Sequence, residues 1–317
     1  MVKRTLDSSC RERLLPSEGS APVQLLAQQL VNGIALGCVY ALFAIGFALI
    51  LARMGILNVA HGTFATWGAL SSYWLVAQEG VNFWVAAAVG ILFAGLLGVL
   101  ADTLAFAPLR RRNAGMFAPI IASIGVWIVL LTVAEAFAGP TTTSYPVEAV
   151  PATPIRVAGL VVLPAHLLSI AALVVTVTAV HLLLNRSRFG AAVRAVSVDP
   201  RSATIVGVDA RRTLVAVAFL AAAVAGLAGV LAALSDNNVS FGVGEALLLK
   251  GFAAVVVGGY GDIRGAAAVG VAIGVLEVLS SQYISSGFRD AITFGVLLLV
   301  LVVRPQGIFG ERQLVRA

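Results

Sequence analysis

The sequence predicts an all-α integral membrane protein, polytopic and helical, with about 8–9 transmembrane segments that include short or broken helices. Three observations carry this. Of 317 residues, 60% are hydrophobic and only 11% charged, against about 25% charged in an ordinary soluble chain. The mean hydropathy is +0.99. The apolar residues fall in near-continuous runs, not in the alternating ten-residue units of an outer-membrane barrel. Too few charges exist to coat a water-facing globule. The net charge of +6 comes from arginines scattered over several short loops, whereas a nucleic-acid partner would want them on one face.

Residues 1–22 carry Lys3, Arg4, Asp7, Arg11, Glu12, Arg13 and Glu18 and read as a solvated, disordered tail. The apolar run behind it is too long for the core of a cleavable signal. A spanning helix needs about 20 apolar residues. Runs of that kind occur at 24–51, 58–77, 83–104, 116–138, 165–184, 213–234 and 266–283, with shorter ones at 246–257 and 291–303. The membrane domain is thus 23–303, followed by a polar C-terminal tail, 304–317. The 246–257 run would cover about 18 Å, half a bilayer core. Short, glycine-broken segments point to a transport path, since irregular backbone survives in a membrane only beside protein or water.

Orientation follows from Lys and Arg in the short loops. Nine crossings with Arg110–Arg112 inside also place Arg53, the arginines of 185–212, Arg264, Arg304, Arg312 and Arg316 inside, leaving Arg156 and Arg289 outside. The N-terminal tail then falls outside, against the rule. The stretch 139–164, with Pro140, Pro146, Pro151, Pro154 and Pro164, reads as an ordered external loop with room for strand pieces.

The inner loop 185–212 is long, and loops beyond about 12–15 residues tend to be functional. Within it, Asp199-Pro200 through Gly207 spells a small helix: Asp199 can cap the free N–H groups, Pro200 suits the first helical position, and Gly207 suits C′. Asp209 then caps the next membrane helix. A capped helix on the inner face is a docking device; the alternative is a plain solvated loop.

Polar residues in apolar runs mark candidate path positions. Asn32 and Tyr40 will seek a partner or a water-lined route, while Gly33-x-x-x-Gly37 is a close-packing motif. Asn58 is placed to cap the second helix. His61 reads as a hydrogen-bonded histidine near the inner interface, in preference to a proton carrier or substrate contact. Gly62 follows it. Lys250 and Glu277 are costly in lipid and are expected to pair or face water, with Lys250 lining the route. The string Val257-Gly258-Gly259-Tyr260-Gly261 is similar to a potassium-channel filter. An extra glycine interrupts it and the threonine is missing, so it reads as a turn between two half-spanning helices. Cys10 and Cys38 are too unlike in setting to suggest a disulfide or metal cluster. The chain has no G-x-x-x-x-G-K-[ST] loop, His-Glu-x-x-His or G-x-S-x-G, which gives no support for an enzyme.

Taken together, the motifs resemble the permease subunits of branched-chain amino acid ABC importers, of the LivH type. The resemblance rests on Asn32-Gly33 with Tyr40-Ala41-Leu42 and Ala44-x-Gly46, on Asn58-x-Ala60-His61-Gly62, on Gly190-x-x-x-Arg194-Ala195 and on Ala203-x-x-x-Gly207. It continues in Leu249-Lys250-Gly251-Phe252-Ala253-Ala254, leading to Gly258-Gly259 and Gly265. It covers about residues 24–310. The N-terminal tail is longer than the family norm, and the usual Asn-Phe-Ala-His-Gly reads Asn-Val-Ala-His-Gly.

The resemblance implies a multi-pass bacterial inner-membrane protein paired with a second permease. Two cytoplasmic ATPases would use ATP, and a periplasmic or extracellular binding protein would deliver substrate. This chain itself would bind no cofactor and no metal. It also implies that Arg188, Phe189, Gly190, Arg194, Ala195, Asp199, Pro200, Ala203 and Gly207 belong to the ATPase coupling region. Asn32, Tyr40, Asn58, His61, Gly62, Lys250, Gly258, Gly259 and Glu277 would belong to the translocation path. Selectivity would lie mostly in the binding protein. Related permeases carry urea, short amides and other amino acids. A stand-alone ion-coupled secondary transporter is the competing class; it would need intramembrane carboxylates, and beyond Glu277 only Asp102 and Glu135, near helix ends, are at hand.

Overall fold

The computed structural model describes residues 21–309 apart from 56, 113, 116, 140, 147, 152, 158 and 260. The two tails beyond those limits, and Tyr260 of the glycine string, lie outside the described residues. In chain order the helices are α1 (Ala21–Met54), α2 (His61–Ala77), α3 (Phe83–Ala101), α4 (Ala107–Arg111), α5 (Phe117–Ala138), α6 (Pro164–Arg186), α7 (Arg188–Val198), α8 (Pro200–Ile205), α9 (Ala210–Asp236), α10 (Val243–Gly258), α11 (Ile263–Tyr283) and α12 (Arg289–Val303). A hairpin of β1 (Ile155–Val157) and β2 (Leu160–Val162) precedes α6, with Ile155 paired to Val162. Strand pieces in the external loop were expected, and this hairpin supplies them.

Among the described residues, seven helices are long and apolar enough to cross a membrane. Two more, α2 and α10, have 17 and 16 residues, or about 24–26 Å each. Seven spans and two shorter helices agree approximately with the expected 8–9 segments. The 12-residue piece expected at 246–257 is longer, because α10 begins at Val243 rather than at 246.

The core is built around α1. It packs along α11, α9, α10 and α6, and 89% of its most apolar window is buried. α1 and α11 cross at contact distance because Gly37 meets Gly274: a side chain on Gly274 would lie 2.2 Å from the Gly37 nitrogen. The expected close approach at Gly33 and Gly37 thus has α11 as its partner. α5 and α12 lie at the periphery, with most of their apolar side chains facing outward, as lipid contact requires.

The connections gather at two ends. One end holds β1–β2, which is tied to α1 where Gln28 donates to the Val161 carbonyl (2.8 Å) and accepts from its N–H (2.8 Å). Thr143 is bridged there to Val239. The Tyr145 hydroxyl is 2.6 Å from Ser72 Oγ. The opposite end holds the 185–212 loop, Arg264 beside His181 (3.1 Å), and the C-terminal segment, where Ile308 N–H donates to the Val257 carbonyl (2.7 Å).

The third run differs from expectation at its end. Helix continues beyond residue 104 through a π-helical turn, Asp102–Phe106, into α4. Arg110, expected in a loop, turns back and donates twice to Asp102, at 2.7 and 2.9 Å. Asp102 is 1% exposed, so the wider turn brings a cation to a carboxylate that would otherwise be buried alone.

Candidate functional site

At the hairpin end, α1, α10, α11 and α12 bring together the charges that are costliest in a membrane. Glu277 is fully buried and pairs with both Lys250 and Arg289. Lys250 Nζ also donates to the Tyr40 hydroxyl (3.1 Å), lies 5.1 Å from the centre of that ring and stands 3.4 Å from Asp290. The expected pairing of Lys250 with Glu277 is present, and Tyr40 has found its partner. Such a group persists only because each charge is matched; removing one partner of a buried pair typically costs about 3–5 kcal/mol.

Two cavities adjoin this cluster. The larger, about 600 Å³, is lined by Gln28, Asn32, Leu36, His166, Asp236 and Arg289 among others. The smaller, about 230 Å³, reaches Tyr40 and shares Leu36, Ser235 and Asp236 with it. Asn32 Oδ1 accepts from Gln28 at 3.0 Å. Among the described residues, Ser235 Oγ, His166 Nδ1 and Arg289 Nε are buried without a hydrogen-bond partner. Each such atom costs about 1–3 kcal/mol unless water or a ligand satisfies it.

Other path candidates fall elsewhere. His61 is fully buried among Phe43, Phe47 and Phe64, with ring centroids 5.0–6.0 Å away. Neither ring nitrogen has a partner. The expectation of a hydrogen-bonded interfacial histidine is therefore wrong: α2 starts inside the protein, and the turn before it carries His61 into an aromatic pocket. Asn58 does not cap α2. Its side chain accepts from Ala60 N–H (3.1 Å) in the turn ahead of the helix, because the helix begins three residues later than the apolar run. Gly62 packs on α10, where a side chain would lie 2.6 Å from the Gly244 carbonyl. Gly258 crosses Gly265 and, with Gly259, is covered by the C-terminal segment at the opposite end. Among these candidates, Asn32, Tyr40, Lys250 and Glu277 come together; Asn58, His61, Gly62, Gly258 and Gly259 do not join them.

The 185–212 loop forms two helices. Ser187 caps α7 by accepting from Gly190 N–H (3.0 Å). Asp199 caps α8 by accepting from Arg201 N–H (2.9 Å) and Ser202 N–H (3.3 Å). Its carboxyl is held below the usual range, first by the Ser202 hydroxyl and then by these backbone donors. Pro200 opens α8, Gly207 follows it at φ +87°, and Asp209 caps α9 through Arg212 N–H (3.0 Å). These are the positions the spacing predicts.

The faces divide less simply. Gly190 is buried against the Leu184 carbonyl, where no side chain fits. Arg194 donates to that carbonyl, Phe189 packs on the core, Ala195 is half-buried and Ala203 is buried. Arg188 and Pro200 face outward. So do three apolar residues absent from the expected set: Val198, Ile205 and Val206, at 87%, 86% and 76% exposure.

A family model described as the permease component of the branched-chain amino acid transport system matches residues 29–301. The chain belongs to this permease family. It is 31% identical to the high-affinity branched-chain amino acid transport system permease protein LivH of Salmonella typhimurium over 297 residues, covering 90% of this chain and 95% of that one. LivH of Escherichia coli K12 is equally similar, and BraD of Pseudomonas aeruginosa is 29% identical at the same coverage. A solved structure, PsaBC from Streptococcus pneumoniae in complex with Fab, shares the fold with a TM-score of 0.51 at 15% identity, covering 92% of this chain and 96% of that one. As a permease component, the chain is a multi-pass membrane protein and one part of a larger transport system.

Sequence reasoning missed Ser235, Asp236, His166 and Arg289. Each lies at or near the end of a helix, where a polar residue reads as interfacial. The signal that could have found them is their shared end of the molecule: helix ends two crossings apart, at 163–166, 235–236 and 289, meet there.

Proposed function

We propose that this chain is the membrane-spanning permease subunit of a bacterial inner-membrane ABC importer for branched-chain amino acids. It pairs with a second permease, receives substrate from an external binding protein, and is driven by two cytoplasmic ATPase subunits that hydrolyse the ATP. Motion enters through α7–α8 and opens the membrane path by alternating access. The observation that carries this reading is the arrangement of the permease-family chain itself. Two capped helices, α7 and α8, with Val198, Ile205 and Val206 exposed at their C-terminal ends, occupy one end, and a charge-lined cavity occupies the other. An apolar patch on a polar, arginine-rich end is a surface awaiting a protein partner. Val198, Ile205 and Val206 join the exposed Arg188 and Arg194 as docking residues in this reading.

Glu277 also weighs against an ion-coupled secondary transporter. Among the described residues, the one carboxylate buried in the middle of a span is tied up in ion pairs with Lys250 and Arg289, the structural use of an intramembrane charge. Apolar wall residues such as Leu36 and Val278 suit leucine, isoleucine or valine better than urea or a short amide.

The test is co-expression with the neighbouring transport genes. Wild-type chain should bring down ATPase subunits and support ATP-dependent leucine uptake in proteoliposomes supplied with the binding protein. Ile205→Glu with Val206→Glu should abolish the co-purification while the chain remains folded. Uptake without ATP, or uptake of urea in place of leucine, would refute the reading.

A further inference from the structure

We propose that the larger cavity is a low-affinity transit site for the zwitterionic backbone of an α-amino acid, with Asp236 holding the ammonium group and Arg289, Ser235 and His166 holding the carboxylate. This deepens the cargo reading above and rests on it.

The cavity is built for a dipolar guest. Lys250 and Glu277 are already matched to each other, whereas Asp236 borders both cavities and, among the described residues, takes part in no ion pair. Arg289 is anchored by Glu277 through a terminal nitrogen, while its Nε remains without a partner. Ser235 Oγ and His166 Nδ1 are two further buried, unpartnered polar atoms on the same wall. One unpaired carboxylate and three unfilled hydrogen-bonding groups border the same volume, which an ammonium and a carboxylate on one small molecule would satisfy together. A simple anion would leave Asp236 without a cation, and a simple amine would leave Arg289 Nε, Ser235 and His166 unsatisfied. Leu36, Leu163 and Val278 complete the wall with the apolar surface that a branched side chain needs. Weak binding fits the role: a passing solute must enter and also leave.

The test uses the full chain, with whatever subunits co-purify, in nanodiscs without the external binding protein. Saturation-transfer NMR reads binding at millimolar ligand. L-Leucine should bind. 4-Methylpentanoate, which lacks the ammonium group, and 3-methylbutylamine, which lacks the carboxylate, should each bind about tenfold more weakly or not at all. Asp236→Asn should weaken leucine about tenfold, and Ser235→Ala should weaken it about threefold, with thermal unfolding unchanged. Equal binding of either analogue, or leucine binding by folded Asp236→Asn equal to that of the wild type, would overturn the proposal. The analogue comparison needs no variant, so it decides even if the substitutions fail to fold. Absence of ATP-driven leucine uptake by the wild type would sink the cargo reading instead, and that measurement is independent of direct binding.

Discussion

Glu277 accepts from two cations at once inside a membrane helix, and that fixes what its removal does. Glu277→Gln leaves Lys250 and Arg289 facing one another with one carboxylate fewer. Thermal unfolding in detergent should fall by an amount corresponding to about 3–5 kcal/mol. Lys250→Met is expected to cut leucine uptake by about tenfold or more at normal expression; unchanged uptake would remove Lys250 from the route. At the hairpin end, Tyr145 is buried, and that burial raises its phenol to about 12. It therefore stays protonated at any working pH and shares one hydrogen bond with Ser72. Tyr145→Phe should loosen the loop by about 1 kcal/mol, read as faster proteolysis of 139–163. Lys250 and Glu277 were legible in the sequence because an ion amid apolar residues has no innocent position. Arg289 and Asp236 were not legible, because a charge at a helix end has one. His61 was misread for a related reason: sequence shows how far a residue is from a loop, but not whether that loop dips into the protein.

The small helix α8 was readable almost residue by residue, because capping is local chemistry. Asp199, Pro200, Gly207 and Asp209 act within four residues of themselves. The folded-state carboxyl of Asp199 lies below its ordinary value of 3.8, so its contribution to α8 is fully present above about pH 4. It is lost as pH falls through the lowered value. Amide exchange at Arg201 and Ser202, corrected for intrinsic rates, should accelerate below that point, and Asp199→Ala should show the same acceleration at neutral pH. α7 was not readable, since its buried stripe of Gly190, Val193 and Val196 has meaning only against the end of α6. Crossings between helices are likewise tertiary facts. Gly33 and Gly37 announced a close contact, but only the fold supplies α11 as the partner. Gly37→Leu would push side-chain atoms into the backbone of Val271, 2.5–2.9 Å from where the first carbon must sit. The expected result is loss of folded protein by size-exclusion chromatography.

The two proposed surfaces lie at opposite ends of the molecule, and that separation gives a topological prediction. In a background with Cys10 and Cys38 replaced by serine, a cysteine at Thr204 should resist an impermeant thiol reagent on intact cells, whereas one at Arg156 should react. The reverse pattern would invert both proposed surfaces. That the chain crosses a membrane several times was legible, since hydropathy and length decide it; the burial of α1 was not, because its composition differs little from that of lipid-facing α5. That burial bears on how the protein is made. α1 leaves the ribosome first, yet the neighbours that enclose it, α9 to α11, are synthesised after residue 210. Through most of translation it must therefore wait in lipid, as an ordinary greasy span with Gly33 and Gly37 uncovered, until the last third of the chain arrives to close around it.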